Sequence, residues 1–248
     1  MEKKKNSLII GRHPLEEALQ SGKSIEKVFL NKAQAIDFQK GLCKELKKEG
    51  IPFYFLDIER LNRMSGGNHQ GVIATISPIE FQPLDELINR CYEKGETPLF
   101  IVLDQVTDVR NFGAICRSAE GFGAHGVIIP ARGSAALNEE AIKASSGALL
   151  RIPLVRSKRI IESLDSLKNN GIKIMAALGD TGLPIFEAPL DEPVALLLGS
   201  EGEGINRALM SKADMEIGIP MPGEFDSYNV SVASGIILYE VVRQRMLS

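Results

Sequence analysis

From Leu99 onward the chain alternates short apolar runs with amphipathic stretches, and this alternation most narrows what it can fold into. "LFIVLD" is apolar at every position but the last, the pattern of a strand covered on both faces. "NFGAICRSAEGFG" follows at helical spacing, then the strand-like "GVIIP", the helical "NEEAIKASSG" and the strand-like "RIPLV". The alternation continues through the helix "SKRIIESLDSLKNNG", the strands "IKIMAAL" and "VALLLGS", the helix "INRALMSKA", the strand "MEIGIP" and a final helix in "SGIILYEVVRQR". Strands separated by helices predict an α/β domain over residues 99–248, built on a parallel sheet with helices on both faces.

The first third alternates on a smaller scale. "HPLEEALQSG" reads as a helix ending at Gly22, "IEKVFLN" as a strand, and "AQAIDFQKGLCKELKKEG" as a helix closed by Gly50. "IPFYFLD", "IERLNRMSG" and "GVIATIS" read as strand, short helix and strand, so residues 1–76 form a small α/β domain. Residues 77–98 carry three prolines around one short helical pattern and read as a linker.

A chain with 44% hydrophobic and 25% charged residues has the balance of a globular protein. No apolar run approaches the roughly 20 residues of a membrane span, and the basic start "MEKKKNSLII" lacks the apolar core of a secretion signal. The expected location is therefore the cytoplasm. Cys43, Cys91 and Cys116 lack metal-ligand spacing and read as reduced packing thiols. The net charge of −3 hides a division: residues 1–76 hold 13 Lys+Arg against 9 Asp+Glu, whereas the remainder is acidic. That surplus suits an approach to a polyanion, although on charge alone it reads equally as solvated surface.

Parallel α/β sheets bind ligands at the carboxyl ends of their strands. Three strand ends here carry unusual loops. In "LDQVTDVRNFGAICRSAE", Asn111 is placed to cap the following helix, and Arg117 lies six residues further on. A purely structural arginine would pair with Asp104 or Glu120, and the residues alone leave both readings open. In "LLLGSEGEG", Gly199, Gly202 and Gly204 surround Glu201 and permit close backbone approach. The loop matches neither a P-loop nor the dinucleotide pattern. A G-x-G-x-x-G run does occur at 121–126, but it follows a helix and precedes a strand, the reverse of the required context. In "MPGEFDSYNVSVASG", Ser227 and Asn229 fall between the last strand and the last helix. One is expected to cap that helix and the other to project from the strand end. His13, His69 and His125 are dispersed, so neither a metal site nor Ser-His-Asp chemistry is expected. His69 reads as a turn residue, with contact to RNA the less favoured reading.

Taken together and in this order, the three loops resemble the motifs of the SpoU ribose 2′-O-methyltransferases of the SPOUT superfamily. "LIIGRHPLEEAL", "IEKVFL" and "NHQGVIATI" resemble the L30e-like RNA-binding domain carried by many of those enzymes, and the likeness is greatest to the group that methylates a guanosine of 23S ribosomal RNA. The resemblance implies a deep trefoil knot in the C-terminal domain, S-adenosylmethionine as co-substrate without a metal, RNA as partner, and a homodimer. It assigns cofactor binding to Ala177, Leu178, Gly199, Ile219, Tyr228 and Asn229, and catalysis to Asn111, Arg117, Glu201, Ser227 and Asn229. A guanidinium stays protonated in proteins, so Arg117 is suited to clamp a phosphate and Glu201 to accept a proton. Two positions depart from the family pattern: Val109 stands for a proline and Tyr228 for a leucine. Two alternatives remain on the same scaffold: a transfer RNA ribose methyltransferase, and a non-catalytic RNA-binding or ribosome-assembly protein.

Overall fold

The computed structural model describes residues 8–21, 23–33, 36–66, 68–179, 182–200 and 202–247. The chain divides into two compact units, Met1–Glu80 and Phe81–Ser248.

In the first unit, β1 (Leu8–Ile10), α1 (Arg12–Gln20), β2 (Ile25–Asn31), α2 (Ile36–Lys48), β3 (Phe53–Leu56), α3 (Ile58–Ser65) and β4 (Val72–Ile76) follow in order. The strands form a sheet ordered β1-β4-β2-β3, antiparallel except for the β2–β3 pair. Helix α1 buries Leu15 and Ala18 and α2 buries Leu42 and Leu46, against Val28 and Leu30 of β2 and Val72 and Ala74 of β4. Helix α1 ends two residues short of expectation, at Gln20 with Ser21 as its C-cap, and Gly22 lies outside the described residues. His69 is buried in the turn before β4. Its Nδ1 accepts from the Gly71 N–H at 2.9 Å, so Nε2 carries the proton and donates to Asn62 Oδ1 at 2.9 Å. The ring thus holds that turn in place.

The second unit begins inside the segment expected to be a linker. Residues 77–80 belong to the first unit, while α4 (Leu84–Glu93) buries Leu84, Leu87, Ile88 and Cys91 in the core of the second. Those four recur at helical spacing. Pro83 is the N-cap of α4, which is the one short helical pattern expected in that segment. Burying Leu87 and Ile88 alone contributes about 1.5–3 kcal/mol each.

The unit continues through β5 (Leu99–Leu103), α5 (Val109–Gly121), β6 (Gly126–Pro130), α6 (Glu139–Ala144), β7 (Leu154–Ser157), α7 (Ile160–Asn169), β8 (Lys173–Leu178), β9 (Leu183–Pro184), β10 (Val194–Leu198), α8 (Arg207–Met210), β11 (Met215–Gly218) and α9 (Val230–Arg245). Every strand pair in the resulting seven-stranded sheet is parallel, and the order is β7-β6-β5-β10-β8-β11-β9. β5 and β10 are buried at all five positions each because both faces are covered, as their unbroken apolar runs predict. The chain runs outward from β5 through β6 and β7, then crosses to β8, and β10 later fills the gap between β5 and β8. The strand order therefore reverses at β5 and β10, and a crevice opens at their carboxyl ends.

Helix α9 packs on α5. It buries Val230, Ile237, Leu238 and Val241, and Arg245 ties down its end by donating to the carbonyls of Thr97, Pro98 and Glu192 at 2.8–2.9 Å. Val232, Tyr239, Met246 and Leu247 are exposed. Cys91 and Cys116 are buried free thiols and Cys43 is half-buried. No helix of the described residues is long and apolar enough to cross a membrane.

Candidate functional site

Two cavities open at the carboxyl ends of the central strands. The larger, of about 310 Å³, is walled by Ala177 and Leu178 at the end of β8, by the loop after β10, by Ile219 after β11, and by Ser227, Tyr228 and Val230. The smaller, of about 210 Å³, is walled by Gln105, Val106, Thr107, Asp108 and Asn111 after β5. Ser200, Gly202 and Val230 line both, so the cavities adjoin.

The loop after β10 doubles back on itself. Ser200 and Gly204 exchange backbone hydrogen bonds of 3.2 and 3.0 Å, and Ser200 Oγ accepts from the Glu203 N–H. A Cβ on Gly199 would sit 2.2 Å from the Gly204 carbonyl, so only glycine permits this fold of the loop. Of the three glycines expected to supply backbone freedom, Gly204 alone takes a positive φ, of 67°. Gly179 has a similar duty to Gly199: its Cβ would lie 2.5 Å from the Asp226 carbonyl oxygen, where the loop before α9 crosses the end of β8. Asp104, buried at the end of β5, accepts from the Asn206 N–H at 2.7 Å and anchors the far side of the β10 loop.

The cap of α5 is Asp108 rather than Asn111. Its Oδ1 accepts from the N–H groups of Arg110 and Asn111 at 3.0 and 2.8 Å. An aspartate three residues upstream satisfies the same orphan donors, so Asn111 falls inside the helix with its side chain available for another contact. Val109 opens the helix directly after this cap, where proline would also fit. Asn229 is the cap of α9. Its Oδ1 accepts from the N–H groups of Ser231 and Val232 and from the Ser231 hydroxyl. Its Nδ2 donates to Asn111 Oδ1 at 3.0 Å. One side chain thus starts the last helix and orients Asn111 on the wall of the smaller cavity.

Of the sequence-predicted residues, Ala177, Leu178, Gly199, Ile219, Ser227 and Tyr228 line the larger cavity and Asn111 the smaller. Asn229 joins the two loops through its bond to Asn111. Glu201 lies outside the described residues. Arg117 lines neither cavity. It is exposed, and six residues beyond Asn111 place it on a different face of α5. Neither expected structural partner engages it: Glu120 pairs with Arg151 at 2.7 Å, which draws the Glu120 carboxyl below its usual range, and Asp104 serves Asn206.

The sequence reading did not single out Gln105, Thr107, Ser200 or Val230 as site residues, yet all four form the walls. Gln105 carried no signal because its positive φ of 55° is invisible in sequence. Charge divides along this edge of the sheet. Glu203 lines the larger cavity, and Glu224 and Asp226 are exposed in the loop that leads to Ser227, an acidic lean that suits a cationic ligand. The ends of β6 and β7 expose Arg132, Lys158 and Arg159, of which Arg159 pairs with Glu162.

S-adenosylmethionine fits the larger cavity on three counts. Its volume falls at the low end of the roughly 300–1,000 Å³ of small-ligand pockets. Ala177, Leu178 and Ile219 offer an apolar bed for an adenine. The packing of Gly199 against the Gly204 backbone, which any Cβ would push apart, shapes the loop that walls the cavity.

Comparison with known proteins shows the family. Residues 98–239 match the model of the SpoU rRNA methylase family, and residues 8–82 match an RNA 2′-O ribose methyltransferase substrate-binding model. A TrmH family tRNA/rRNA methyltransferase of Bacillus subtilis, named YacO and described as putative, is 34% identical over 96% of this chain and 95% of its own length. The SpoU methyltransferase AviRb of Streptomyces viridochromogenes, solved with AdoMet, superposes with a TM-score of 0.61 at 25% identity, over 97% of this chain and 91% of that one. The TrmH/SpoU tRNA modifying enzyme of A. aeolicus matches 66% of this chain and 85% of its own, with a TM-score of 0.56 at 30% identity. With the family model spanning more than half of its length and a full-length relative above 30% identity, the chain belongs to the SpoU rRNA methylase family, a family of RNA methyltransferases.

Proposed function

We propose that the protein transfers a methyl group from S-adenosylmethionine to a ribose 2′-oxygen of RNA, with ribosomal RNA as the substrate. The observation that carries this reading is the pair of adjoining cavities joined by the Asn111–Asn229 bridge. S-adenosylmethionine supplies an electrophilic methyl carbon bonded to a sulfonium. The larger cavity is its site, and the smaller holds the acceptor ribose. In-line transfer forms the oxygen–methyl bond as the carbon–sulfur bond breaks, with the electron pair leaving on sulfur and the hydroxyl proton going to an acceptor.

The residues of the chain then have distinct tasks. Asn111, whose Oδ1 is occupied by Asn229, presents a donor toward the acceptor oxygen and stabilises its developing charge. Ser227 donates to the bound co-substrate from the wall of the larger cavity. Glu201, flanked by the glycines of the β10 loop, accepts the proton directly or through water. Arg117 clamps the phosphate next to the acceptor nucleotide with its planar fork. Because Arg117 faces away from the cavities of its own chain, it reaches the site of a two-fold partner. The exposed apolar residues of α9 supply the interface.

The same reading makes the first unit an L30e-like RNA-binding domain and threads the C-terminal segment of the second as a trefoil knot. Supporting them are the match of residues 8–82 to the substrate-binding model and the late insertion of β10 between β5 and β8. Transfer RNA is the second reading, favoured by the match of the A. aeolicus tRNA modifying enzyme to 66% of this chain.

The test is methyl transfer from labelled S-adenosylmethionine to ribosomal and transfer RNA isolated from a strain lacking the gene. Label in ribosomal RNA, at a nucleotide that resists alkaline cleavage, is the expected result. Label confined to transfer RNA overturns the substrate, and label on a base overturns the chemistry.

A further inference from the structure

Among the described residues, Gln70, Gln105 and Ser146 take positive φ without being glycine. Two have structural reasons. Ser146 closes α6, donating its N–H to the Lys143 carbonyl at 2.9 Å while Gly147 donates to Ile142. Gln70 forms the turn between His69 and Gly71, which the imidazole of His69 holds through the Gly71 N–H. Gln105 closes no helix. It stands at the carboxyl end of β5, exposed, on the wall of the acceptor cavity.

The backbone on both sides of Gln105 is pinned. Asp104 donates its N–H to the Leu198 carbonyl at 2.8 Å and accepts from Asn206, and the Val106 carbonyl accepts from the Ala135 N–H at 3.0 Å. These anchors impose the left-handed conformation. Glycine would adopt it without strain, whereas a side chain there carries a conformational penalty. Residues held this way cluster where a side chain is needed for function. The Gln105 Cγ lies 4.0 Å from where a Cβ would stand on Gly133, so the side chain passes between that loop and the cavity.

Its position within the cavity assigns the contact. Ser200, Gly202 and Val230 form the wall shared with the co-substrate cavity, and the reacting ribose belongs there beside Asn111. Asn111, Gln105 and Thr107 all stand on the wall that is not shared; Asn111 is tied to the shared side through Asn229, next to Val230, which leaves Gln105 and Thr107 for the rest of the nucleotide. From this geometry we infer that Gln105 hydrogen-bonds the base edge of the acceptor nucleotide and sets which base is accepted. A primary amide offers two donors and one acceptor in a plane, which matches the edge of an unstacked base. The inference rests on the reading of the smaller cavity as the acceptor site.

The test uses the full chain and transcripts carrying G, A, C or U at the nucleotide that the wild-type enzyme methylates. Gln105→Gly removes the amide and relieves the backbone, so a structural role and a recognition role give opposite results. The expected variant unfolds at or above the wild-type midpoint and binds S-adenosylmethionine with unchanged affinity. Its kcat/KM for the preferred base falls at least tenfold, and the ratio between the preferred and next base shrinks. Gln105→Asn, which tolerates the same φ and keeps a shorter amide, falls between the two. Wild-type kcat/KM and base ratio in Gln105→Gly overturn the inference. So does an equal loss on all four transcripts, or a lowered unfolding midpoint. A wild-type enzyme that methylates no RNA overturns the proposed function itself, whereas an active wild type with an indifferent Gln105→Gly overturns this inference alone.

Discussion

Asn229 carries two tasks that a pair of substitutions separates. Its Oδ1 caps α9 through the N–H groups of Ser231 and Val232, and its Nδ2 orients Asn111. Asn229→Ala removes both. Loss of a cap costs about 1 kcal/mol, and an exposed side-chain hydrogen bond adds about 0.5–1 kcal/mol. Unfolding of the second unit should therefore begin roughly 3–8 °C lower, at about 2–4 °C per kcal/mol for a unit of this size. Asn229→Asp keeps the cap acceptor, and its charge at a helix N-terminus contributes about 0.3–1 kcal/mol. The new carboxylate cannot donate to Asn111, so the bridge is lost while stability stays within roughly 0.5 kcal/mol of wild type. Both variants should lose at least about tenfold in kcat, equivalent to roughly 1.4 kcal/mol of transition-state stabilisation. Thermal unfolding followed by circular dichroism reads the first quantity, and single-turnover methyl transfer reads the second. An Asn229→Asp enzyme with full activity refutes the orienting role of the bridge. One as unstable as Asn229→Ala refutes the cap account.

The remaining predictions concern other parts of the second unit. Gly199→Ala should abolish S-adenosylmethionine binding in calorimetry, because its Cβ would lie 2.2 Å from the Gly204 carbonyl, whereas Gly202→Ala, with nothing within 4 Å, should fold with wild-type stability. Burial pushes the His125 imidazole below its ordinary value of 6.5, even with Glu96 at 3.3 Å, and its Nδ1 accepts from the Leu99 N–H. The unfolded chain therefore binds the proton more readily, so stability should fall as pH drops through about 6.5 and level off above it. His125→Gln should flatten the difference in urea midpoint between about pH 5.5 and 7.5. Mixing Arg117→Ala and Asn229→Ala chains should restore part of the activity that each lacks alone, and no recovery in a confirmed mixed dimer would place Arg117 in its own chain's site.

The sequence reading succeeded where the physics is local. An unbroken apolar run such as Leu99–Leu103 has no polar face to offer water, so a strand covered on both sides is its ready solution. Spacing at i, i+4 and i+7 similarly marks Ile160, Leu164 and Leu167 as the buried stripe of α7. It failed where two local solutions compete. Asp108 and Asn111 are both good caps, and which one is used depends on where the chain leaves β5. Pro83 and its neighbours read as a linker, although the same residues start a helix once a core is present to receive Leu87 and Ile88.

The candidate site shows the same division. The glycines and short polar residues at 199–204 and 227–229 mark loops able to hold a ligand, since only such residues permit close backbone approach. By itself, then, the sequence marked most of the elements, though not β1 or β9, and determined that the sheet of the second unit is parallel and which loops permit close backbone approach. Only the tertiary structure decided that β10 enters between β5 and β8, and so that the 105–111 loop meets the 199–205 loop across one crevice. It alone decided that Asn229 reaches Asn111 across 118 residues of chain, that Gln105 is held left-handed on the wall of the smaller cavity, and that Arg117 lines neither cavity. The reason is the range of the forces involved. Capping, periodicity and φ preference act within a turn or two of chain, whereas strand order is set by burying many distant apolar surfaces at once, which no short window of sequence records.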